Sequence, residues 1–231
     1  MEDPKRSIYG LLKFGERVHL EELRNHGIIY MRSLAEFTKL ESDSARGDPY
    51  EGATNIIQPK HVKNLVLEAP GFGKHAINPS DLCGPVRIAK FVTSACNVYC
   101  MFAITGPVDG ELVNRQNLQF GDSFLLVLHP QEFLDRIVKA AKETGLASLE
   151  SRLVDYFDES EYSGKVGRFR KRSAFSYQNE FRIVVEPGSN TPRKLAVGSL
   201  TDITSEVLPL AEVSQHLDFS PRSFQEAGLK L

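Results

Sequence analysis

The sequence predicts a single α+β domain, built on a bent or split, mostly antiparallel sheet with a few flanking helices. Three observations predict this fold class: many short apolar, β-branched or aromatic runs, few stretches with helical spacing, and no composition typical of a linker. The chain of 231 residues is long enough for one large domain with a sizeable core. The residues after about position 212 are expected to form a loose tail, as chain ends often do.

The first half of the chain opens as strand, helix, strand. Ile8 to Phe14 predicts a strand, Val18 to His26 predicts a helix that ends at Gly27, and Ile28 to Met31 predicts the second strand. The remaining expectations for this half are a short helix or turn at Leu34 to Leu40, hairpin strands at Asn55 to Ile57 and Val62 to Leu67, an irregular stretch from Ala69 to Pro85, and one or two buried strands between Ile88 and Phe102.

The clearest local pattern of the second half is a helix from Gln131 to Glu143. Pro130 precedes it, apolar residues recur on one face, and Gly145 follows it. The strands expected in this half are Phe124 to Leu128, Leu153 to Phe157, Phe181 to Val185 and Lys194 to Val197, and Gly198 to Ile203 predicts a turn into a short segment before Val207 to Leu210.

Composition excludes several classes of protein. Hydrophobic residues make up 41% and charged residues 25%, which is typical of a globular chain. A net charge of -2 argues against non-specific binding to nucleic acid or to an anionic membrane. No segment resembles a signal peptide or a membrane span. The three cysteines, Cys83, Cys96 and Cys100, favour reduced thiols over a disulfide framework, so we expect a cytoplasmic protein.

An acidic loop from Glu41 to Gly52 carries Glu41, Asp43, Asp48 and Glu51. Carboxylate oxygens are the ligands that Mg²⁺ and Ca²⁺ prefer, although the spacing of a calcium loop is absent. If these carboxylates converged, metal-dependent cleavage of phosphodiester bonds would be an alternative function. The other interpretation is a solvated acidic loop, and the main hypothesis below requires no metal.

The segment from Lys165 to Arg172 contains five basic residues around one aromatic ring. Such a segment can contact phosphates while the ring stacks on a base, which predicts a non-catalytic module that binds nucleic acid or protein. The candidate contacts are Arg168, Phe169, Arg170, Lys171 and Arg172. The alternative is a solvated basic loop that faces the acidic stretch from Asp155 to Glu161.

Polar residues alternate along a predicted strand from Tyr177 to Arg182. Gln178, Glu180 and Arg182 share one face, because residues i and i+2 of a strand point the same way. This stripe predicts either a functional site or an exposed strand face, on which Glu180 pairs with Arg182 or with a neighbouring strand.

The motif formed by Gln178 and Glu180 at the opening of a strand resembles the catalytic motif of ADP-ribosyltransferases. The segment from Phe91 to Ala95 is similar to the strand of that family that supports the nicotinamide pocket, with Thr93 and Ser94 as its hydroxyl residues. The resemblance implies that NAD is the substrate, that Glu180 is catalytic, that Gln178 faces the acceptor, and that the acceptor is a macromolecule. A fixed carboxylate would stabilise the positive charge that develops as the nicotinamide bond breaks.

The family also has a basic residue on its first strand, and three residues of this chain are candidates for that position: Arg32, Lys13 and Arg6. Arg32 could bind the pyrophosphate with its planar fork, next to Tyr30 on the same predicted strand. Several segments also resemble an uncharacterised group of bacterial and phage proteins, which suggests a role as a toxin, a defence effector or an anti-defence factor.

Overall fold

The computed structural model describes residues 7–37, 48, 50, 52–88, 96–106, 112–146 and 148–213. Its strands are β1 (Gly10–Gly15), β2 (Ile28–Ser33), β3 (Asn55–Ile57), β4 (Leu65–Ala69), β5 (Gly73–Ile77), β6 (Val86–Ile88), β7 (Asn97–Ile104), β8 (Ser123–Val127), β9 (Ser148–Leu153), β10 (Asp155–Phe157), β11 (Gly164–Lys165), β12 (Arg170–Arg172), β13 (Glu180–Glu186), β14 (Arg193–Ala196) and β15 (Leu208–Pro209). The α-helices are α1 (Arg17–His26), α2 (Leu34–Phe37) and α3 (Pro130–Glu143). Turns of 3-10 helix cover Pro59–His61, Pro79–Asp81, Arg115–Phe120, Ser173–Gln178 and Leu210–Glu212.

Strand β7 is the centre of a forked antiparallel sheet. On one side it pairs with β13, which in turn pairs with β9. On the other side, the start of β7 pairs with β2 and the end of β7 pairs with β1, so the sheet divides into two arms. One arm continues from β2 to β14, and the other continues from β1 to β8 and β15. The predicted α+β fold with a split, mostly antiparallel sheet is confirmed.

Helices α1 and α3 supply the main apolar core on one face of this sheet. Leu20 and Leu23 of α1 and Phe133 and Ile137 of α3 are buried there, at the spacing of one helical face. The sheet residues of this core include Leu11, Ile29, Met31, Tyr99, Met101, Leu125, Phe181, Ile183 and Val185. Both helices lie within one residue of the predicted bounds, and Pro130 occupies the first turn of α3 as expected.

A second layer covers the opposite face of β7 and β13. Its strands β10 and β12 run parallel to each other, and β3 pairs with β6 and β11 in a small sheet. Phe169, which precedes β12, packs with Val98 of β7 and Val184 of β13. The candidate site lies where this layer meets the forked sheet.

The predicted hairpin between Asn55–Ile57 and Val62 to Leu67 is wrong. β3 pairs with β6 and β11, whereas β4 pairs with β5, in a stretch that the sequence analysis expected to be irregular. Gly71 and Gly73 adopt positive φ angles of 82° and 72°, which lets the chain reverse tightly between β4 and β5. A stretch rich in glycine therefore forms a hairpin turn in place of an irregular loop.

Among the described residues, no helix combines the length and the apolar character needed to cross a lipid bilayer.

Candidate functional site

Glu180 is the first residue of β13, as the Gln-x-Glu motif predicts, but Gln178 is not on that strand. Gln178 ends the 3-10 turn Ser173–Gln178, and Asn179 then adopts the left-handed conformation with φ 35°. The predicted continuous strand from Tyr177 to Arg182 is therefore wrong in its first half. Strand alternation does not place Gln178 beside Glu180, so another contact must bring these two side chains together.

That contact is Lys171. Its Nζ donates to Glu180 Oε2 at 2.7 Å and to Gln178 Oε1 at 2.9 Å. Lys171 is the middle residue of β12, and it is buried while Arg170 and Arg172 on either side are half-buried. Because side chains alternate along a strand, Lys171 points towards β13 and its two basic neighbours point away.

Arg182 provides the second cation at Glu180. Its Nε donates to Glu180 Oε1 at 2.6 Å, and its Nη1 donates to the carbonyl oxygen of Arg168. The exposed fractions are 4% for Glu180, 1% for Arg182 and 6% for Lys171. The predicted pairing of Glu180 with Arg182 is confirmed, but the predicted exposed strand face is wrong, because the layer that contains β12 covers it.

Two further groups complete the surroundings of Glu180. The backbone N–H of Glu180 donates to the Tyr156 hydroxyl at 2.9 Å, and the Cys100 thiol donates to the Glu180 carboxylate. Cys100 lies opposite Arg182 in the pairing of β7 with β13, which brings its side chain to this face of the sheet. We call Glu180, Arg182, Lys171, Gln178, Cys100 and Tyr156 the buried polar cluster.

The electrostatics of this cluster keep Glu180 ionised. Burial on its own would raise the pKa of the Glu180 carboxyl, but the charges of Arg182 and Lys171 and the hydrogen bonds from Arg182 and Cys100 outweigh it. The pKa of Glu180 therefore lies well below its usual range. Burial, aided by the negative charge of Glu180, raises the pKa of Cys100 to about 12, so this thiol stays protonated at neutral pH. Burial likewise raises the pKa of Tyr156.

The acidic loop is represented by Asp48, since Glu41, Asp43 and Glu51 lie outside the described residues. Asp48 is 1% exposed, and its Oδ1 accepts from Arg172 Nε at 3.0 Å and from the backbone N–H of Tyr50. Arg172 also pairs with Glu159 at 2.7 Å. The interpretation of Asp48 as part of a solvated loop is therefore wrong. Its carboxylate compensates the charge of Arg172 in the second layer.

The basic segment contributes to the protein interior more than to its surface. Phe169 is 3% exposed and lies under the guanidinium of Arg152, 4.4 Å from ring centre to Cζ, so it cannot stack on a base in this conformation. Arg168 pairs with Glu186, and Arg170 Nη1 donates to the Lys165 carbonyl. Together with buried Lys171, these contacts correct the prediction that Arg168 to Arg172 form a binding surface.

The predicted facing of this segment towards the acidic stretch is partly confirmed. β10, which opens that stretch, runs beside β12, and Arg172 reaches Glu159 in the turn that follows.

Lys13 lies on the opposite face of the sheet from Glu180. Its Nζ is 4.2 Å from the centre of the Tyr99 ring, in the core that α1 and α3 cover. The same Nζ donates to the Cys100 carbonyl at 2.7 Å. This carbonyl faces the fork, where the described part of the chain pairs neither β1 nor β2 with residues 99–101 of β7. Lys13 thus satisfies a carbonyl that the division of the sheet leaves without a strand partner.

Arg32 and Tyr30 lie on the same face of the sheet as Glu180, because Met31 between them points into the opposite core. Arg32 is opposite Val98, which is opposite Val184 on β13. Val184 lies four positions after Glu180 on β13, which places Arg32 about 13 Å along the strands from Glu180. Thr93, Ser94 and Arg6 lie outside the described residues.

Three members of the buried polar cluster were not predicted from the sequence: Lys171, Cys100 and Tyr156. The sequence gives a weak indication that Lys171 is buried. Every residue of β12 is basic, and side chains alternate along a strand, so at least one basic side chain must point towards the sheet that β12 covers. Cys100 and Tyr156 had no comparable signal, since their positions depend on the register of β7 with β13 and on the placement of β10.

Within the described residues, no group of three or more His, Cys, Asp and Glu side chains converges in a way that could hold a metal ion. No family model matches the chain, and comparisons with curated proteins and with solved structures return no match.

Proposed function

We propose that the protein is an ADP-ribosyltransferase-like enzyme that cleaves NAD and transfers ADP-ribose to a macromolecule, with Glu180 as the catalytic carboxylate. The observation that carries the proposal is the state of Glu180: a buried, ionised carboxylate at the start of β13, linked to Gln178 through one ammonium group. Breaking the nicotinamide bond develops positive charge on the ribose, and a carboxylate fixed in a water-poor site stabilises that charge.

The carboxylate retains capacity for a substrate hydroxyl. An ionised carboxylate offers about four lone-pair sites. Three of these lone-pair sites accept hydrogen bonds, from Arg182 Nε, from Lys171 Nζ and from the Cys100 thiol. A ribose hydroxyl would take the fourth. Since Glu180 is only 4% exposed, a substrate reaches it only after part of the cover over this carboxylate moves.

The remaining substrate contacts follow from the faces of the sheet. Arg32 and Tyr30 share the face of Glu180, so Arg32 is the proposed contact for the pyrophosphate, with Tyr30 beside it. Gln178 is the proposed contact for the acceptor, and Thr93 and Ser94 keep their proposed role at the nicotinamide pocket. The structure does not favour the alternative of a metal-dependent nuclease, because the carboxylate of Asp48 already compensates Arg172. The resemblance to bacterial and phage proteins supports a toxin, defence or anti-defence role in the cytoplasm.

The test is the release of nicotinamide by the purified chain from NAD, with and without a cell extract that supplies acceptors. The wild-type chain should release nicotinamide, and NAD should raise its melting temperature. Glu180→Gln should abolish release. The matched control is Glu150→Gln, which removes the same charge from an exposed position on neighbouring β9 and should retain wild-type release.

Failure of the wild-type chain in both assays would refute the proposal and leave the cluster with a structural role alone. That result does not depend on how well any variant folds.

A further inference from the structure

Two acceptor oxygens converge on one donor in the buried polar cluster. Gln178 Oε1 and Glu180 Oε2 both lie within 2.9 Å of Lys171 Nζ. The two oxygens carry partial or full negative charge and repel each other, and the ammonium between them offsets this repulsion. Because Lys171 can only donate, its contact also orients the Gln178 amide so that Oε1 faces the ammonium.

The backbone does not set this spacing. Asn179 takes the chain from the 3-10 turn into β13 in a left-handed conformation, and its side chain donates to the Ala103 carbonyl at 2.6 Å. That anchor fixes where β13 begins, but it leaves the side chain of Gln178 on the turn. Lys171 is itself well fixed, because β12 pairs with β10 and the Phe175 ring lies 5.7 Å from its Nζ.

We infer that Lys171 is a positioning residue of this site, whose ammonium holds the Gln178 amide and the Glu180 carboxylate at the spacing that the reaction requires. The inference rests on the proposed function and extends it to a residue outside the Gln-x-Glu motif. Lys171 touches neither NAD nor the acceptor. It acts through the two residues that do, and it joins Gln178, at the end of the turn Ser173–Gln178, to Glu180.

Removal of the ammonium has two physical consequences. The Gln178 amide can then rotate and donate its Nε2 to Glu180, which takes the acceptor contact out of place. Glu180 also loses one of the groups that stabilise its negative charge. The charged and titratable groups that face it are Arg182 on its own strand, Lys171 on β12, Cys100 on β7 and Tyr156 on β10. Of these, Arg182 would be the remaining cation.

The test compares Lys171→Met with wild type in nicotinamide release and transfer to an acceptor. We expect kcat to fall about 100-fold, because a displaced catalytic group costs roughly that factor, and KM for NAD to stay within a small factor. The acid limb of the rate profile should move to higher pH by about one unit or more, because the loss of a nearby cation raises the pKa of a carboxyl. Lys142→Met, which removes an exposed lysine of α3 on the opposite face of the sheet, is the matched control and should change neither quantity.

A second variant, Lys171→Arg, distinguishes the effect of the positive charge from the effect of the spacing between Gln178 and Glu180. It also provides a test if Lys171→Met does not fold. Arginine keeps the positive charge but has a longer, planar head group. We expect Lys171→Arg to keep the acid limb of the wild-type pH–rate profile and to have a lower kcat than wild type. Wild-type kcat and an unmoved acid limb in both variants would overturn the inference.

Titration of the Glu180 carboxyl by ¹³C NMR gives a readout without turnover. If wild type turns over no NAD, the proposed function fails. A raised Glu180 pKa in Lys171→Met would then still support the link between the two residues, and an unchanged pKa would overturn it.

Discussion

Glu180→Gln should destabilise the protein strongly, apart from any effect on catalysis. The substitution keeps the size of the side chain but removes its charge. Two buried cations, Lys171 and Arg182, then lose their shared carboxylate. Breaking a buried ion pair by removing one partner is costly, because the other charge stays in a medium that solvates it poorly.

The magnitude follows from the contacts. Hydrogen bonds to charged groups contribute about 1.5 to 3 kcal/mol each, so the two bonds of Glu180 to Arg182 and Lys171 amount to about 3 to 6 kcal/mol. The amide that replaces the carboxylate in Glu180→Gln would retain one acceptor oxygen, which favours the lower end, about 3 kcal/mol. For a chain of this length, that loss lowers the melting temperature by about 6 to 12 °C. Glu150→Gln removes an exposed carboxylate, 3.4 Å from Arg152, and should change stability by less than about 0.5 kcal/mol.

The assay is urea denaturation of wild type and both variants between about pH 3.5 and pH 7. In wild type the folded pKa of Glu180 is depressed, so the unfolded chain takes up this proton first as the pH falls. The contribution of Glu180 is thus fully present above the unfolded carboxyl pKa of about 4.3, and it is lost as the pH falls below that value towards the folded pKa. The difference between wild type and Glu180→Gln should shrink in the same window. A loss below about 1 kcal/mol at pH 7, or a difference that does not depend on pH, would refute the reasoning.

Three further changes test other parts of the fold. Gly27→Ala should lower the free energy of unfolding, measured by chemical denaturation, by at least about 2 kcal/mol more than Gly145→Ala does. Both positions have positive φ, but the new Cβ at Gly27 would lie 1.8 Å from a backbone carbonyl oxygen, whereas nothing lies within 4 Å of a Cβ at Gly145. Lys13→Met should cost about 1 to 3 kcal/mol in the same assay, because it leaves the β7 carbonyl at the fork unsatisfied, and it should retain nicotinamide release. Arg172→Met should lower stability by about 3 kcal/mol, because it leaves buried Asp48 without its cation, and an unchanged midpoint would contradict that role.

The parts of the fold that the sequence predicted best are those in which burial alone determines the pattern. Helix α3 combines a first-turn proline with a clean apolar face, and β13 is buried on both faces from Phe181 to Val185, so each keeps its character whatever its neighbours are. Pairing was harder to predict. β3 is short, and its partners β6 and β11 come from later in the chain, so no nearby signal distinguishes them from the adjacent β4.

Only part of the buried polar cluster was predictable from the sequence. Arg182 pairs directly with Glu180, and Gln178 is joined to Glu180 through Lys171. An exposed strand face was one of the two interpretations of these residues, because charged residues are rarely buried unless they are paired. Their partner Lys171 lies in a basic segment that by composition favours a solvated surface. The packing of Phe169 on Val98 and Val184, together with the Lys171–Glu180 contact, places this segment over the sheet.

The position of the segment from Lys165 to Arg172 over the sheet changes the interpretation of its many positive charges. Lys171 pairs with Glu180, Arg172 pairs with Asp48 and Glu159, and Arg168 pairs with Glu186, so carboxylates of this chain compensate each of these three cations. A surface that binds phosphate needs cations whose charge is available to a ligand, whereas these charges are already matched within the chain. The same matching keeps Glu180 ionised in a covered position. The basic segment therefore bears on function through the carboxylate that it holds in place.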